Sequence, residues 1–257
     1  SLVYGRAIAV HVDPIEKKPL FHVAPGSQSF SISTVGCNFH CHFCQNHDIS
    51  QVKNAVGESR HSREWSPDQI VTATKRQHCL SIAYTYTEPT IYFEYAYDIA
   101  RRASQEGLKN IFVTNGYMTE EALQMIHPYL HAANVDLKSF QEKFYKEVCS
   151  AKLKPVLENL RLMREMGIWV EITTLVIPTL NDTDKEFEEI ALFILSLGPE
   201  VPWHISAFYP TYKMLNLPRT PASLLHRARE IGMKAGLQYV YCGNIPGQEG
   251  EDTFCPS

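Results

Sequence analysis

Residues 66–114 read SPDQIVTATKRQHCLSIAYTYTEPTIYFEYAYDIARRASQEGLKNIFVT, and two hydrophobic periods alternate along them. Ser66-Pro67-Asp68-Gln69 opens a helix: serine caps, proline suits the first helical position, and a glutamine three residues on returns the bond. Residues 81–86 then have the length and apolar content of a strand. Ile91, Tyr95, Ile99 and Ala103 recur at helical spacing along 91–105. Gly107 stands where that helix should stop, and Lys109–Thr114 is a second strand. Strand, helix, strand in this order implies a parallel βαβ unit.

The alternation continues outward. Thr119-Glu120-Glu121 opens a helix with carboxylates at its positive end. Residues 134–138 are strand-like, 155–166 are helical with Leu157, Leu160 and Met163 stacked, and 168–177 are rich in β-branched residues. Thr183 and Glu186 suit a capping box for a helix reaching about residue 197. Residues 203–209 read as strand, 220–235 as helix and 237–242 as strand, with Gly167, Gly198 and Gly236 at helix ends. This gives an α/β chain of about six βα units between residues 30 and 235, with a further strand at each end. Such a parallel sheet closes wholly or partly into a (β/α) barrel or opens as a doubly wound sheet, and the periodicity does not choose. In either case ligands bind at the carboxyl ends of the strands. Cys37 to Cys44, Thr87-Glu88-Pro89, Thr114-Asn115-Gly116, Asp136 and Lys138, and residues 204–209 fall there.

The 257 residues are 44% hydrophobic and 20% charged, with a formal net charge of −4. That composition suits one globular domain of barrel size and provides no global basic field for nucleic acid. No apolar run reaches bilayer length and no secretory signal precedes the first strand. A cytoplasmic protein without a membrane partner is expected. The expected organisation is a single domain over 1–257: an N-terminal extension (1–29), a barrel core (30–247) and a tail (248–257) that is cut short. Three of the seven cysteines crowd into eight residues. That points to one metal or redox site in a reducing compartment rather than a disulfide framework.

The crowded stretch is Gly36-Cys37-Asn38-Phe39-His40-Cys41-His42-Phe43-Cys44, directly after an apolar strand. Three thiolates at C-x3-C-x2-C spacing suit an iron–sulfur cluster, and supplying only three leaves one iron open to a small molecule. His40, His42 and His47 keep a closed zinc site of three Cys and one His open as the alternative.

This loop, with an aromatic residue just before its last cysteine, resembles the signature of the radical SAM superfamily. The resemblance runs from about residue 30 to 247. It is closest to the group containing the pyruvate formate-lyase activating enzyme. Val3-Tyr4-Gly5-Arg6-Ala7 and His11-Val12-Asp13-Pro14 are similar to the AmmeMemoRadiSam-type subfamily. The resemblance implies a partial or full (β/α) barrel with a [4Fe–4S] cluster on Cys37, Cys41 and Cys44. S-adenosylmethionine (SAM) would chelate the fourth iron. It implies reductive cleavage of SAM to a 5′-deoxyadenosyl radical that takes hydrogen from an unidentified substrate, protein or small molecule. A flavodoxin- or ferredoxin-type donor would supply the electron. A glycyl-radical activase acting on a protein glycine is one alternative; a zinc- or cluster-stabilised binding scaffold without activity is another.

The same resemblance implies that Phe43 packs against cluster and adenine. Thr87 and Glu88 would hold the SAM amino group, in a segment Tyr86-Thr87-Glu88-Pro89 where the group has Gly-Gly-Glu-Pro. Asn115 would lie near the SAM face, Asp136 and Lys138 would hold the ribose and carboxylate region, His204 would reach the ribose, and Tyr241 to Gly247 would flank adenine. Plainer readings stand beside these: Glu88 as a helix start, Asp136 and Lys138 as a rim ion pair on one strand face, His204 as a hydrogen-bonded core residue. Glu171 and Thr173 share a strand face by parity. Tyr209-Pro210-Thr211-Tyr212-Lys213-Met214 is a candidate substrate-facing loop, and Cys255 a candidate half of a small metal knuckle.

Overall fold

The computed structural model describes residues 2–52, 62–245 and 252–253. The chain forms two compact units. The first comprises Ser1–Asn38, Asn46–Asn134 and Leu162–Trp169; the second comprises Phe39–Gln45, Val135–Arg161 and Val170–Ser257.

In the first unit a short pair, β1 (Arg6–Ala7) and β4 (Arg63–Glu64), is antiparallel. The larger sheet contains β2 (Ala9–Pro14), β3 (Gln28–Ser33), β5 (Ser81–Tyr84) and β6 (Lys109–Thr114). β2 is antiparallel to β3, and β3, β5 and β6 run parallel. The parallel strands are buried on both faces, as crossover helices require: Phe30, Ile32, Ile82, Tyr84, Ile111 and Phe112 are all in the core. The turn after β2 sends Ile15 and Leu20 onto Ala83, Ile111 and Ala132, with Val23 and Trp169 at the margin. Helices α1 (Pro67–Arg76), α2 (Phe93–Gln105) and α3 (Glu120–Ile126) follow β4, β5 and β6 in the chain. The Ser66 capping box is present in both directions, Gln69 N to Ser66 Oγ at 3.2 Å and Ser66 N to Gln69 Oε1 at 2.7 Å. α2 starts later than its periodicity suggests, because Pro89–Tyr92 forms a tighter 3-10 turn first. Buried Asn110 is fully used: its amide donates to Ala100 O, Ser104 Oγ and Tyr129 O, and its carbonyl accepts from Tyr84 OH.

β7 (Ala132–Asp136) runs from the first unit into the second, where β8 (Trp169–Val176), β9 (Trp203–Ala207) and β10 (Val240–Gly243) continue the pattern. β8, β9 and β10 are parallel neighbours. Helices α4 (Leu153–Glu165), α5 (Asp184–Leu197) and α6 (Ala222–Ala235) alternate with them. α6 packs on β9 and β10 closely enough to dictate Gly232: a Cβ there would stand 3.0 Å from the Trp203 ring and 3.1 Å from Val240. The strands β5 to β9 are thus each followed by one of these helices, and β3 by the short helix His47–Ser50, with β2 before the series and β10 after it. The expected parallel α/β architecture is the one adopted.

Two local expectations fail for physical reasons. The strand expected over 134–138 ends at Asp136, because Leu137 N turns back to Val135 O at 3.1 Å. Lys138 is therefore not on a strand face with Asp136, although the two still pair. Thr183 caps α5 through Glu186 N at 3.3 Å, but Glu186 does not return the bond. Its buried carboxylate instead accepts from Ser139 Oγ, Phe140 N and Gln141 Nε2, which pins the loop after β7. Among the described residues no helix is long and apolar enough to cross a membrane.

Candidate functional site

The second unit holds most of the cysteine loop. His40 N donates to Cys149 O at 2.9 Å, His42 N to Val148 O at 3.0 Å, and Lys213 N to His42 O at 3.1 Å. Phe39 meets the Tyr145 ring edge-on at 6.2 Å, and Phe43 packs 6.1 Å from Phe144. Cys41 is 7% exposed, and no disulfide engages Cys37, Cys41 or Cys44.

Lys138 organises the polar side of this loop. Its ammonium lies 2.9 Å from Asp136 Oδ2 and 5.6 Å from the Phe43 ring centroid. Its backbone N donates to Tyr145 OH at 3.1 Å. Burial alone would lower the proton affinity of this amine. The Asp136 carboxylate outweighs that and holds it well above the ordinary lysine range. The ammonium is thus a fixed positive charge beside sulfur. The Cys41 thiol is pushed well up, first by its hydrogen bond with Cys149 and then by burial. In the metal-free chain it is protonated, and a metal binding there displaces that proton.

Among the described residues no three His, Cys, Asp or Glu side chains form a ready-made site for a single ion. Three disulfide-free soft donors on one loop, with a lysine ammonium to offset their negative charge, fit the cluster.

In the first unit, the ends of β5 and β6 are tied together through Glu88 and Asn115. Glu88 is 2% exposed. Its Oε1 accepts from Thr90 N, Thr90 Oγ1 and Thr114 Oγ1, and its Oε2 from Asn115 N at 2.8 Å. The Asn115 side chain donates to Asn38 Oδ1 at 2.7 Å and lies 3.9 Å from Cys37 Sγ. Asn38 in turn donates to Tyr117 O at 2.9 Å. Glu88 is thus both the helix start anticipated by the plainer reading and a tie reaching, through Asn115, the residue next to Cys37. Thr87 Oγ1 donates to Thr34 O at 2.8 Å and meets Ser33 Oγ at 2.9 Å.

Tyr86, one residue earlier, has φ +64°, a region costly for a side-chain-bearing residue. It occupies the first of the two glycine positions in the pattern noted above. A bulky residue in place of a glycine is itself the signal of this conformation. Asn46 Nδ2 holds the Tyr86 carbonyl at 2.8 Å, and the Tyr86 hydroxyl donates to Asp13 at 2.5 Å. Beside them opens a cleft of about 560 Å³ whose lining includes His11, Lys17 and Lys18.

Burial pushes the Glu88 carboxyl above the ordinary range despite its donors. A raised folded value means that its share of stability is whole below the unfolded pKa, about 4.3, and declines as pH rises through the folded value. Glu88→Gln places an amide NH₂ against Asn115 N–H and should cost about 1–3 kcal/mol. Lacking an ionisable group, the variant escapes that decline. The gap to the parent is therefore expected to be widest in acid and to narrow toward neutral pH, as urea unfolding at several pH values would show.

His204 on β9 bonds through Nε2 to Glu171 Oε2 of β8 at 2.7 Å, with both residues buried. Tyr241 of β10 stacks on the imidazole at 5.1 Å and 25°. Register explains the row: Thr173 faces His204, and His204 faces Tyr241, across the parallel strands. This is the hydrogen-bonded core arrangement, with Glu171 as a partner that parity placed on the right face but did not identify. The 209–214 segment is tied to the cysteine loop through Lys213 N, and Tyr209 OH donates to Asn244 O at 3.1 Å. Pro246, Gly247 and Cys255 lie outside the described residues.

Comparison with known proteins adds four findings. The sequence profile of the family described as "Radical SAM superfamily" matches residues 31–194. The uncharacterized protein MJ0808 of Methanocaldococcus jannaschii is 44% identical over 255 residues, 99% of this chain and 75% of that protein. The isethionate sulfite-lyase activating enzyme of Nitratidesulfovibrio vulgaris is 28% identical over 111 residues, 41% of this chain and 36% of that protein. Among solved structures, a domain of pyruvate-formate lyase-activating enzyme from Bacteroides vulgatus superimposes with a TM-score of 0.55 at 21% identity, covering 64% of this chain and 99% of that one.

Proposed function

The chain belongs to the radical SAM superfamily, so that it is an enzyme using a [4Fe–4S] cluster and SAM; from that premise we propose that Cys37, Cys41 and Cys44 hold the cluster and that the radical abstracts hydrogen from a substrate still to be identified. The observation that carries this reading is the loop itself: three disulfide-free cysteines at C-x3-C-x2-C spacing, with the buried Lys138 ammonium facing Cys41. When bound, cluster and SAM together supply a one-electron cleavage of the S–C5′ bond and a 5′-deoxyadenosyl radical.

The chain's own residues have distinct tasks in this reading. Lys138 offsets the negative charge of the thiolates and is suited to a carboxylate, with Asp136 beside it as an acceptor for hydroxyls. Phe43 and Phe144 keep water from that side of the loop. Glu88 fixes Asn115, and Asn115 fixes Asn38 beside Cys37, while Thr87 offers backbone groups to an amine. His204, oriented by Glu171, is the histidine assigned to the ribose side of SAM. The thiols need a reducing compartment, for which the cytoplasm is the natural setting. A low-potential donor of the flavodoxin or ferredoxin type would feed the cluster.

Anaerobic reconstitution with iron and sulfide, then incubation with SAM and dithionite, tests the proposal. A brown protein that releases 5′-deoxyadenosine is the expected result; a colourless one that binds a single zinc and releases none would overturn it. A glycyl-radical activase is the second reading, favoured by similarity to an activating enzyme over 111 residues. It predicts a glycyl signal in electron paramagnetic resonance (EPR) when a partner protein is added, and small-molecule turnover without one would argue against it.

A further inference from the structure

Lys143, Lys146 and Lys152 lie on or beside the π-helical turn Tyr145–Cys149, and Lys213 and Arg219 lie between β9 and α6; all five are exposed. Both segments are bonded to the cysteine loop within the second unit. Val148 O receives His42 N, Cys149 O receives His40 N, and His42 O receives Lys213 N. The run of bonds from Val148 through His42 to Lys213 brings both lysine-bearing segments to the loop of Cys41 and Cys44. Among the described residues none of the five cations forms an ion pair. Residues 39–45 and 209–219 contain no carboxylate, and of the two in 141–152, Glu142 is engaged by Leu153 N at 2.9 Å. Five cations thus stand against two carboxylates on a chain whose formal net charge is −4. Arg219 lies 4.3 Å over the Tyr209 ring and Lys213 lies 5.2 Å over that of Tyr212. Leu215, in the same segment, is 67% exposed.

We infer that this basic face is the docking surface for an acidic electron-carrier protein that reduces the cluster. The inference rests on the cluster reading proposed above. A carrier has to come close to the cluster, and the segments that hold the cysteine loop by hydrogen bonds are the ones that carry the charge. A positive patch on a net-negative chain steers an acidic partner to this face while the rest of the surface repels it. Exposed Leu215 adds an apolar contact, and a small face with a charged rim suits the brief encounters of electron transfer. The same lysines would attract a nucleic acid, but the overall charge opposes one, and an electron is what the loop behind this face needs. One electron passes from carrier to cluster; the carrier is oxidised, the cluster is reduced, and no bond is made or broken.

The test uses the full chain, reconstituted anaerobically, with an acidic flavodoxin as the carrier. Affinity for the oxidised flavodoxin is read by flavin fluorescence, and electron delivery by the loss of its hydroquinone in stopped flow, both at low and high salt. Lys143→Glu combined with Lys146→Glu should lower affinity and second-order rate by about tenfold at low salt and flatten their salt dependence. Lys143→Gln with Lys146→Gln should act in the same direction by less, and stands in if the reversals disturb the turn. The same reversals at Lys109, the first residue of β6, and Lys234, in the last turn of α6, change the net charge equally and should lower both quantities far less. Iron content, and 5′-deoxyadenosine formed with dithionite, which needs no docking, should match the parent throughout. Parent values in the Lys143 and Lys146 variants, or equal losses from the two pairs of reversals, overturn the inference and leave the cluster reading intact. So does a parent that holds the cluster and works with dithionite yet ignores flavodoxin, or that binds an RNA oligonucleotide through these lysines instead. A parent chain that takes up no cluster removes both.

Discussion

Replacing any one of Cys37, Cys41 or Cys44 with alanine should reduce 5′-deoxyadenosine formation to background rather than by a fraction. Three thiolates are the smallest set that can hold a cubane by three irons and leave the fourth open, so the ligands act as a unit and their losses do not add. The remaining cysteines provide the control. Cys79 and Cys242 are buried singly. Burial raises both thiols, that of Cys242 to about 11, and Cys242 Sγ spends its proton on Leu225 O at 3.5 Å. Their alanine variants should keep full iron and full product. Metal-free stability should change by only about 1 kcal/mol in the loop variants, because no disulfide is lost. Iron content, colour and product are thus expected to fall together while the unfolding midpoint barely moves. Retained iron in any single loop variant would remove that cysteine from the ligand set.

The parallel α/β fold was legible because each strand–helix step carries its own punctuation. Ser66 and Gln69 cap α1 as their side chains dictate, and Gly107, Gly167 and Gly236 terminate helices with positive φ. The loop of three cysteines was legible for the same local reason. What sequence could not give was the second partner of each polar side chain. Glu186 lies at a capping-box position, and only the fold brings Ser139 and Gln141 within reach to claim it. Glu171 is likewise mute in sequence, because its partner, His204, is 33 residues away. Lys138 was placed on a strand face by a period-two count that holds only while the strand lasts. Tyr86 was legible in principle: a position filled by glycine in a resembling pattern advertises positive φ whatever residue stands there.

Asp13→Ala is expected to destabilise the chain by about 3–5 kcal/mol at neutral pH, the range for removing one partner of a buried ion pair. One oxygen of Asp13 receives the Lys18 ammonium at 2.7 Å, the Tyr86 hydroxyl at 2.5 Å and the Ser31 hydroxyl at 3.0 Å. Lys18 is only 2% exposed and has no water to fall back on. Burial alone would raise the Asp13 carboxyl, but Lys18, Tyr86 and Ser31 together hold it well below the usual carboxylate range. A depressed folded value means that the contribution is whole above the unfolded pKa, about 3.9, and disappears as pH falls through the folded value. Parent and variant should therefore converge in strong acid. Burial already lowers the Lys18 ammonium, and without its carboxylate the amine will lose its proton more readily still. The variant should then regain stability relative to the parent as pH rises toward the lysine range. Asp13→Leu combined with Lys18→Met should recover much of the loss, since matched apolar groups often replace a buried pair at little cost. The consequence reaches the candidate site, because Asp13 anchors the side chain of Tyr86, whose left-handed backbone leads into Thr87 and Glu88. Weaker SAM binding by Asp13→Ala, measured by calorimetry on reconstituted protein at a temperature where the variant is folded, would show that the N-terminal strand helps to set that loop. Unchanged affinity would confine Asp13 to stability.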